Sequence, residues 1–146
     1  MEAARQRAIA DSLVMMDTAR EAMTARDWDA ALRALEQARN NVDDPSSLEG
    51  LEKLTDRART EKRNLSLLNA ARTTLDKEGA EPALEIALGI PDTSGYYAEA
   101  QELADSIRDR IIEDEVEAIR GLLADRNRSE ARQRVVGLAE THPEDV

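Results

Sequence analysis

Residues Ala25 to Asn40 read ARDWDAALRALEQARN. Asp27 is of the type that caps a helix N-terminus. Behind it, Trp28, Ala31, Leu35 and Ala38 recur at helical spacing, with no Gly or Pro among them. The stretch is a short amphipathic helix. Extended backwards to Ala19 as AREAMTARDWDAALRALEQA, it has two further copies in the chain. One is ARTTLDKEGAEPALEIALGI from Ala71, the other IRGLLADRNRSEARQRVVGL from Ile119. In each copy an alanine (Ala31, Ala83, Ala131) lies twelve positions after the starting residue, and apolar positions coincide. These are Met16, Leu68 and Val116; Met23, Leu75 and Leu123; Leu35, Ala87 and Val135. Offsets of 52 and 48 residues without internal gaps define an internal repeat.

Turn signals mark the ends of the repeats. VDDPSS at Val42–Ser47 stops one helix and starts the next, with Ser46 or Ser47 as N-cap. In KEGAEP, Gly79 is the helix stop and Pro82 falls in the first turn of the next helix. GIPDTSG at Gly89–Gly95 supplies Thr93 or Ser94 as a cap, and DRNRSE at Asp125–Glu130 supplies Asn127 or Ser129. The pattern predicts long helices over 3–25, 46–78 and 94–124, each paired with a short one over 27–41, 80–89 and 128–141. Short loops make each long–short pair an antiparallel hairpin.

Composition agrees with an all-α fold. The 146 residues contain no Phe, one Trp and two Tyr, with Ala and Leu supplying most of the apolar content. The absence of Cys excludes disulfides and thiolate metal sites. A formal net charge of −11, concentrated in residues 92–146, argues against nucleic acid or an anionic membrane surface as the main partner. The longest apolar run, LVMM at Leu13–Met16, is far too short to cross a membrane. MEAARQR opens no signal-peptide core. A soluble, cytoplasmic protein is expected. The preference for Arg over Lys, with abundant Ala, fits a GC-rich bacterial genome. THPEDV reads as a linker, so a larger parent protein is expected.

The stretch from Ala19 to Ala38 resembles a tetratricopeptide repeat. In that family a small residue on the first helix meets a small residue on the second, and an aromatic near the start of the second wedges the pair. Ala19, Trp28, Ala31, Leu35 and Ala38 stand in those roles. The resemblance is closest over residues 13–42, intermediate over 65–91 and loosest over 113–143. The second copy has Ala80 in place of the aromatic; the third has Ile119 at the small position and Arg128 for the aromatic, with Pro143 where the family often closes. The family repeats about every 34 residues, so here each first helix is lengthened. The resemblance implies a right-handed, solenoid-like array of about three hairpins. It forms one domain over 1–146, with units at about 1–42, 46–91 and 94–143. Arg132, where the earlier copies have Leu32 and Leu84, suits a terminal repeat or a docking edge.

One charged residue recurs in register: Arg20, Arg72 and Arg120. The resemblance places this helix face on a concave groove. Arginines beside Met23, Leu75 and Leu123 would suit an acidic, partly apolar peptide, since guanidinium grips carboxylates in bidentate fashion. The plainer reading is local ion pairing, with Asp17 three residues before Arg20 and Asp76 four after Arg72. Arg20, Arg72, Arg120, Met23 and Leu75 are therefore the partner-binding candidates.

Trp28 reads as an interhelix wedge. Of Tyr96 and Tyr97, one should pack inward. EDEVE at Glu113–Glu117 lacks the glycine and ligand spacing of a calcium loop. RNRSEARQR at Arg126–Arg134 lacks aromatic interleaving, and His142 is the only histidine. No catalytic residue, metal site or cofactor is expected. The functional expectation is a non-catalytic protein–protein interaction module or scaffold, monomer favoured. Self-association is the alternative, through a near-heptad seam at Leu51, Leu54, Ala58, Leu65, Leu68 and Leu75 that Glu61 and Arg72 interrupt. A regulatory lobe of an enzyme ranks last.

Overall fold

The computed structural model describes residues 1–124, 128–142 and 144. Among them are six α-helices and no strand: α1 (Glu2–Thr24), α2 (Trp28–Asn40), α3 (Leu51–Lys77), α4 (Ala80–Leu88), α5 (Tyr97–Ala124) and α6 (Arg128–Thr141). The long–short alternation is the one the repeat predicts. The caps expected at Asn127 or Ser129, the Arg128 side chain and Pro143 lie outside the described residues. The chain separates into two compact units, Met1–Ser66 and Leu67–Val146, so that α3 contributes its first part to one and its last part to the other.

Two helix starts differ from expectation. Ser46 and Ser47 do not cap α3. Pro45–Ser47 instead form a single 3-10 turn capped by Asp44, whose carboxylate accepts from the Ser46 amide at 3.0 Å. Gly50 at φ +83° then turns the chain into α3, in a backbone region that side-chain-bearing residues rarely occupy. Likewise α5 starts at Tyr97, not at residue 94. Ser94 closes a turn by accepting the Tyr96 amide at 3.1 Å, and the Tyr97 amide bonds the Ser94 carbonyl at 3.2 Å. Tyr96 is buried and Tyr97 exposed, as their adjacency requires.

In the first unit, α1 and α2 pack as a hairpin. Arg26 takes a positive φ of 58° in the three-residue connection, and Asp27 caps α2 by accepting from the Ala30 amide at 3.0 Å. Ala19, Ala31 and Ala38 are fully buried with Met16 and Leu35, and Trp28 at the head of α2 is buried beside them. Small side chains at these positions let the helix backbones approach. At the far end, the Asn41 amide donates to the Ala8 carbonyl at 3.0 Å and the Ser12 hydroxyl at 3.1 Å, pinning the hairpin shut. Lys62 on α3 donates to Asp29 at 2.6 Å, and Arg39 pairs with Glu52. These two pairs lie ten residues apart on both helices, so α3 runs antiparallel along α2 for about 15 Å.

In the second unit, the amides of Glu78 and Gly79 both donate to the Thr74 carbonyl, at 2.8 and 3.0 Å, which ends α3. Gly79 at φ +109° reverses the chain directly into α4, with Pro82 in the first turn. Ala71 of α3, Ala87 of α4 and Ala104 of α5 form one buried cluster, flanked by Leu84, Ile86 and Leu103. A second cluster joins α5 to α6 through Ile119, Ala131 and Leu138, with Val116 and Leu122 against it. Arg134 bridges to Glu115 at 3.3 Å along the same contact.

Candidate interaction surfaces

All three recurrent arginines are exposed. Each finds its partner three residues back on its own helix. Arg20 pairs with Asp17 at 2.6 Å, Arg72 donates to Asn69 Oδ1 at 3.3 Å, and Arg120 lies 3.9 Å from Glu117. The partner of Arg72 is therefore Asn69, not the Asp76 suggested by spacing. Asp17, Asn69 and Glu117 are themselves in repeat register, so the sequence repeats an arginine together with its anchor. The exposed ion pairs of Arg20 and Arg120 each contribute about 0–1 kcal/mol, so an incoming carboxylate would displace them at little cost.

The apolar neighbours divide. Met23 and Leu75 are half-buried, one turn from Arg20 and Arg72, while Leu123 beside Arg120 is 54% exposed. Arg20 and Met23 belong to the first unit; Arg72, Leu75 and Arg120 belong to the second. Met16 and Leu68, the other aligned apolar positions on these helices, are fully buried and serve as core.

Two carboxyl groups are held below their ordinary range, and both shifts have structural causes. Asp29 is lowered chiefly by its hydrogen bond from Lys62 and by the charge of that ammonium. Asp44 is lowered by the Ser46 hydroxyl and then the Ser46 amide, as a turn-capping carboxylate should be. In both, hydrogen-bond donors are the main cause, so the arrangement is one of anchoring.

Open grooves flank both units. One of about 710 Å³ lies between the start of α1 and the segment after α2, with Arg5, Ile9, Asn41 and Asp44 on its walls. Another of about 540 Å³ lies over Ile111 and Leu138, rimmed by Glu81, Arg134 and His142. Among the described residues no group of three His, Asp or Glu is gathered to hold a metal, and no helix is long and apolar enough to cross a membrane.

Sequence reasoning missed an exposed apolar surface on α6. Val135 is 41% and Val136 53% exposed on α6. The signal was present in Arg132, which replaces the leucine of the earlier copies on the same edge. The other unforeseen feature, the tie from Asn41 to α1, has no signature in helical periodicity because it depends on where two helix ends meet.

No family model matches the chain, and no curated protein or solved structure matches it significantly.

Proposed function

We propose that this chain is a non-catalytic protein-interaction module, a tetratricopeptide-like, right-handed array of hairpins within a larger bacterial cytoplasmic protein. The observation that carries the reading is the repeated exposed arginine at Arg20, Arg72 and Arg120. Each is held by one local anchor and stands one turn from Met23, Leu75 or Leu123. The ligand class that fits is an acidic, partly apolar peptide or protein surface. Its carboxylates would replace Asp17, Asn69 and Glu117 as guanidinium partners, and its apolar side chains would cover the half-buried neighbours.

Coiled-coil self-association through the α3 seam is less favoured. Leu51, Ala58 and Leu68 are already buried within one chain, and pairing through them would first have to uncover them. The experiment is a capture from lysate with two baits, the native chain and an R20E/R72E/R120E variant of equal helicity by circular dichroism. A partner held by the first, lost by the second and released by moderate salt supports the reading. Partners retained by both baits would sink it.

A further inference from the structure

The repeat shows which edge of each short helix is normally covered. On α2 the edge carrying Leu32, Leu35 and Arg39 faces α3, as the Asp29–Lys62 and Arg39–Glu52 pairs establish, and Leu35 is 1% exposed. On α4 the corresponding Ala87 is fully buried in the cluster with Ala104 of α5, and Leu84 packs against that cluster. On α6 the same edge carries Arg132, Val135 and Ala139, with Val135 exposed; beside it stands Val136, exposed like its counterparts Glu36 and Leu88. Leu123 at the end of α5 is exposed as well, where its counterparts Met23 and Leu75 are half-covered. The third hairpin thus leaves open, at Val135, a position that the two earlier ones bury against a long antiparallel helix, and Val136 extends the apolar surface beside it.

The charges on this edge indicate what fits it. Arg132 and Glu140 are both exposed and stand four residues to either side of Val136. In an antiparallel pair of α6 helices with its two-fold axis at Val136, Arg132 of each copy comes level with Glu140 of the other. The opposite charges therefore meet twice. Val136 then meets its own copy, with Val135 and Ala139 along one flank. Arg134 is engaged by Glu115 on its own chain. We propose that the α6 edge is a self-complementary docking surface for a second copy of this chain, paired antiparallel about Val136. A contact built from one helix edge belongs to the small, transient class of interfaces. It uses none of the recurrent arginines and stands independently of the function proposed above.

The test is sedimentation equilibrium of the chain up to about 1 mM, where weak helix-edge contacts register. A monomer–dimer equilibrium is expected. Arg132→Glu alone and Glu140→Arg alone should each weaken it about tenfold or more, because like charges then face each other twice. Mixing the two single variants, or combining both changes in one chain, should restore dimers. Val136→Glu, which sets two carboxylates on the axis, should abolish them. All these side chains are exposed, and circular dichroism checks that helicity is kept. A chain that stays monomeric at the highest concentration overturns the proposal. So does a dimer indifferent to the charge reversals, or growth into species larger than dimers, which would mean head-to-tail contact through another helix.

Discussion

Leu35 and Val135 occupy the same place in the first and third hairpins, yet Leu35 is 1% exposed and Val135 41%. Within the hairpins the two are alike. Each short helix buries its aligned alanine, Ala31 or Ala131, against the long helix before it. They differ in what lies on the other side. Lys62 and Glu52 of α3 clamp both ends of α2, whereas among the described residues no helix covers that edge of α6. Alignment of a repeat therefore reports a residue's position within its own hairpin. Its burial also depends on the neighbour, which the repeat does not encode.

The largest expected effect tests that difference directly. Leu35→Ala should destabilise the chain by about 2–5 kcal/mol, since a fully enclosed leucine leaves a cavity behind. Val135→Ala should stay within about 0.5 kcal/mol, as exposed substitutions do. Urea unfolding of both variants measures the gap. Equal losses would mean that the third hairpin is covered in solution, and concentration dependence of the Val135 result would point to a second copy.

A smaller contrast concerns the helix ends. Asn41 reaches across to Ala8 and Ser12 on α1, while Thr141, its counterpart in the repeat, bonds back to the Gly137 carbonyl of its own helix at 3.0 Å. Asn41→Ala should cost about 1–2 kcal/mol, because it removes two interhelix bonds, one of them to a buried hydroxyl. Thr141→Ala should be nearly silent. Amide exchange in the first turns of α1 would locate the loss: protection near Ala8–Ser12 should fall in the Asn41 variant.

The same residues show how much of the molecule is legible in the sequence. Helical periodicity and turn chemistry place α1, α2, α4 and α6 to within about two residues. Asp27 and Gly79 carry their own local instructions for starting and stopping a helix. The starts of α3 and α5 are misplaced because a serine after Pro45 or Pro91 can close a turn as well as cap a helix. Gly50 settles the first case by a backbone angle the sequence does not display. The arginine register is readable as a pattern, but its anchors are only half readable: spacing points to Asp17 but not to Asn69. The exposed valines are signalled only by the charge of Arg132 beside them; periodicity by itself does not show them, for the reason Leu35 and Val135 illustrate.

Glycine provides a third handle on the comparison. Gly137 stands inside α6, exposed, with nothing within 4 Å of where a Cβ would be, and its counterpart on α2 is Gln37. Gly137→Ala should stabilise the chain by about 0.5–1 kcal/mol through helix propensity alone. In the two-fold pair it lies away from the valine flank, so the association constant should not change. Measured together, unfolding and association then separate a firmer α6 from a better-docked one. A gain in dimerisation would place Gly137 in the contact and shift the proposed axis.

The smallest effect is electrostatic and falls on the clamp that α6 lacks. Asp29 is held below its ordinary value in the folded chain, so the unfolded chain binds protons more readily on acidification. The clamp's contribution is complete above the ordinary carboxylate range and disappears as pH falls through the lowered folded value. Lys62→Met removes both the hydrogen bond and the ammonium charge that lower Asp29, so its folded value should return towards the unfolded one. The variant's stability should then fall less steeply than the native chain's over that acid window, and the two curves should converge at its lower end. The pair is exposed, so the difference is small and shrinks further with added salt. Unfolding midpoints at a series of acid pH values, at low and high salt, would show it. Parallel curves would mean that Asp29 and Lys62 are not joined in solution. In that case the burial of Leu35 would rest on apolar packing alone, and the first hairpin would differ from the third only in having a helix beside it.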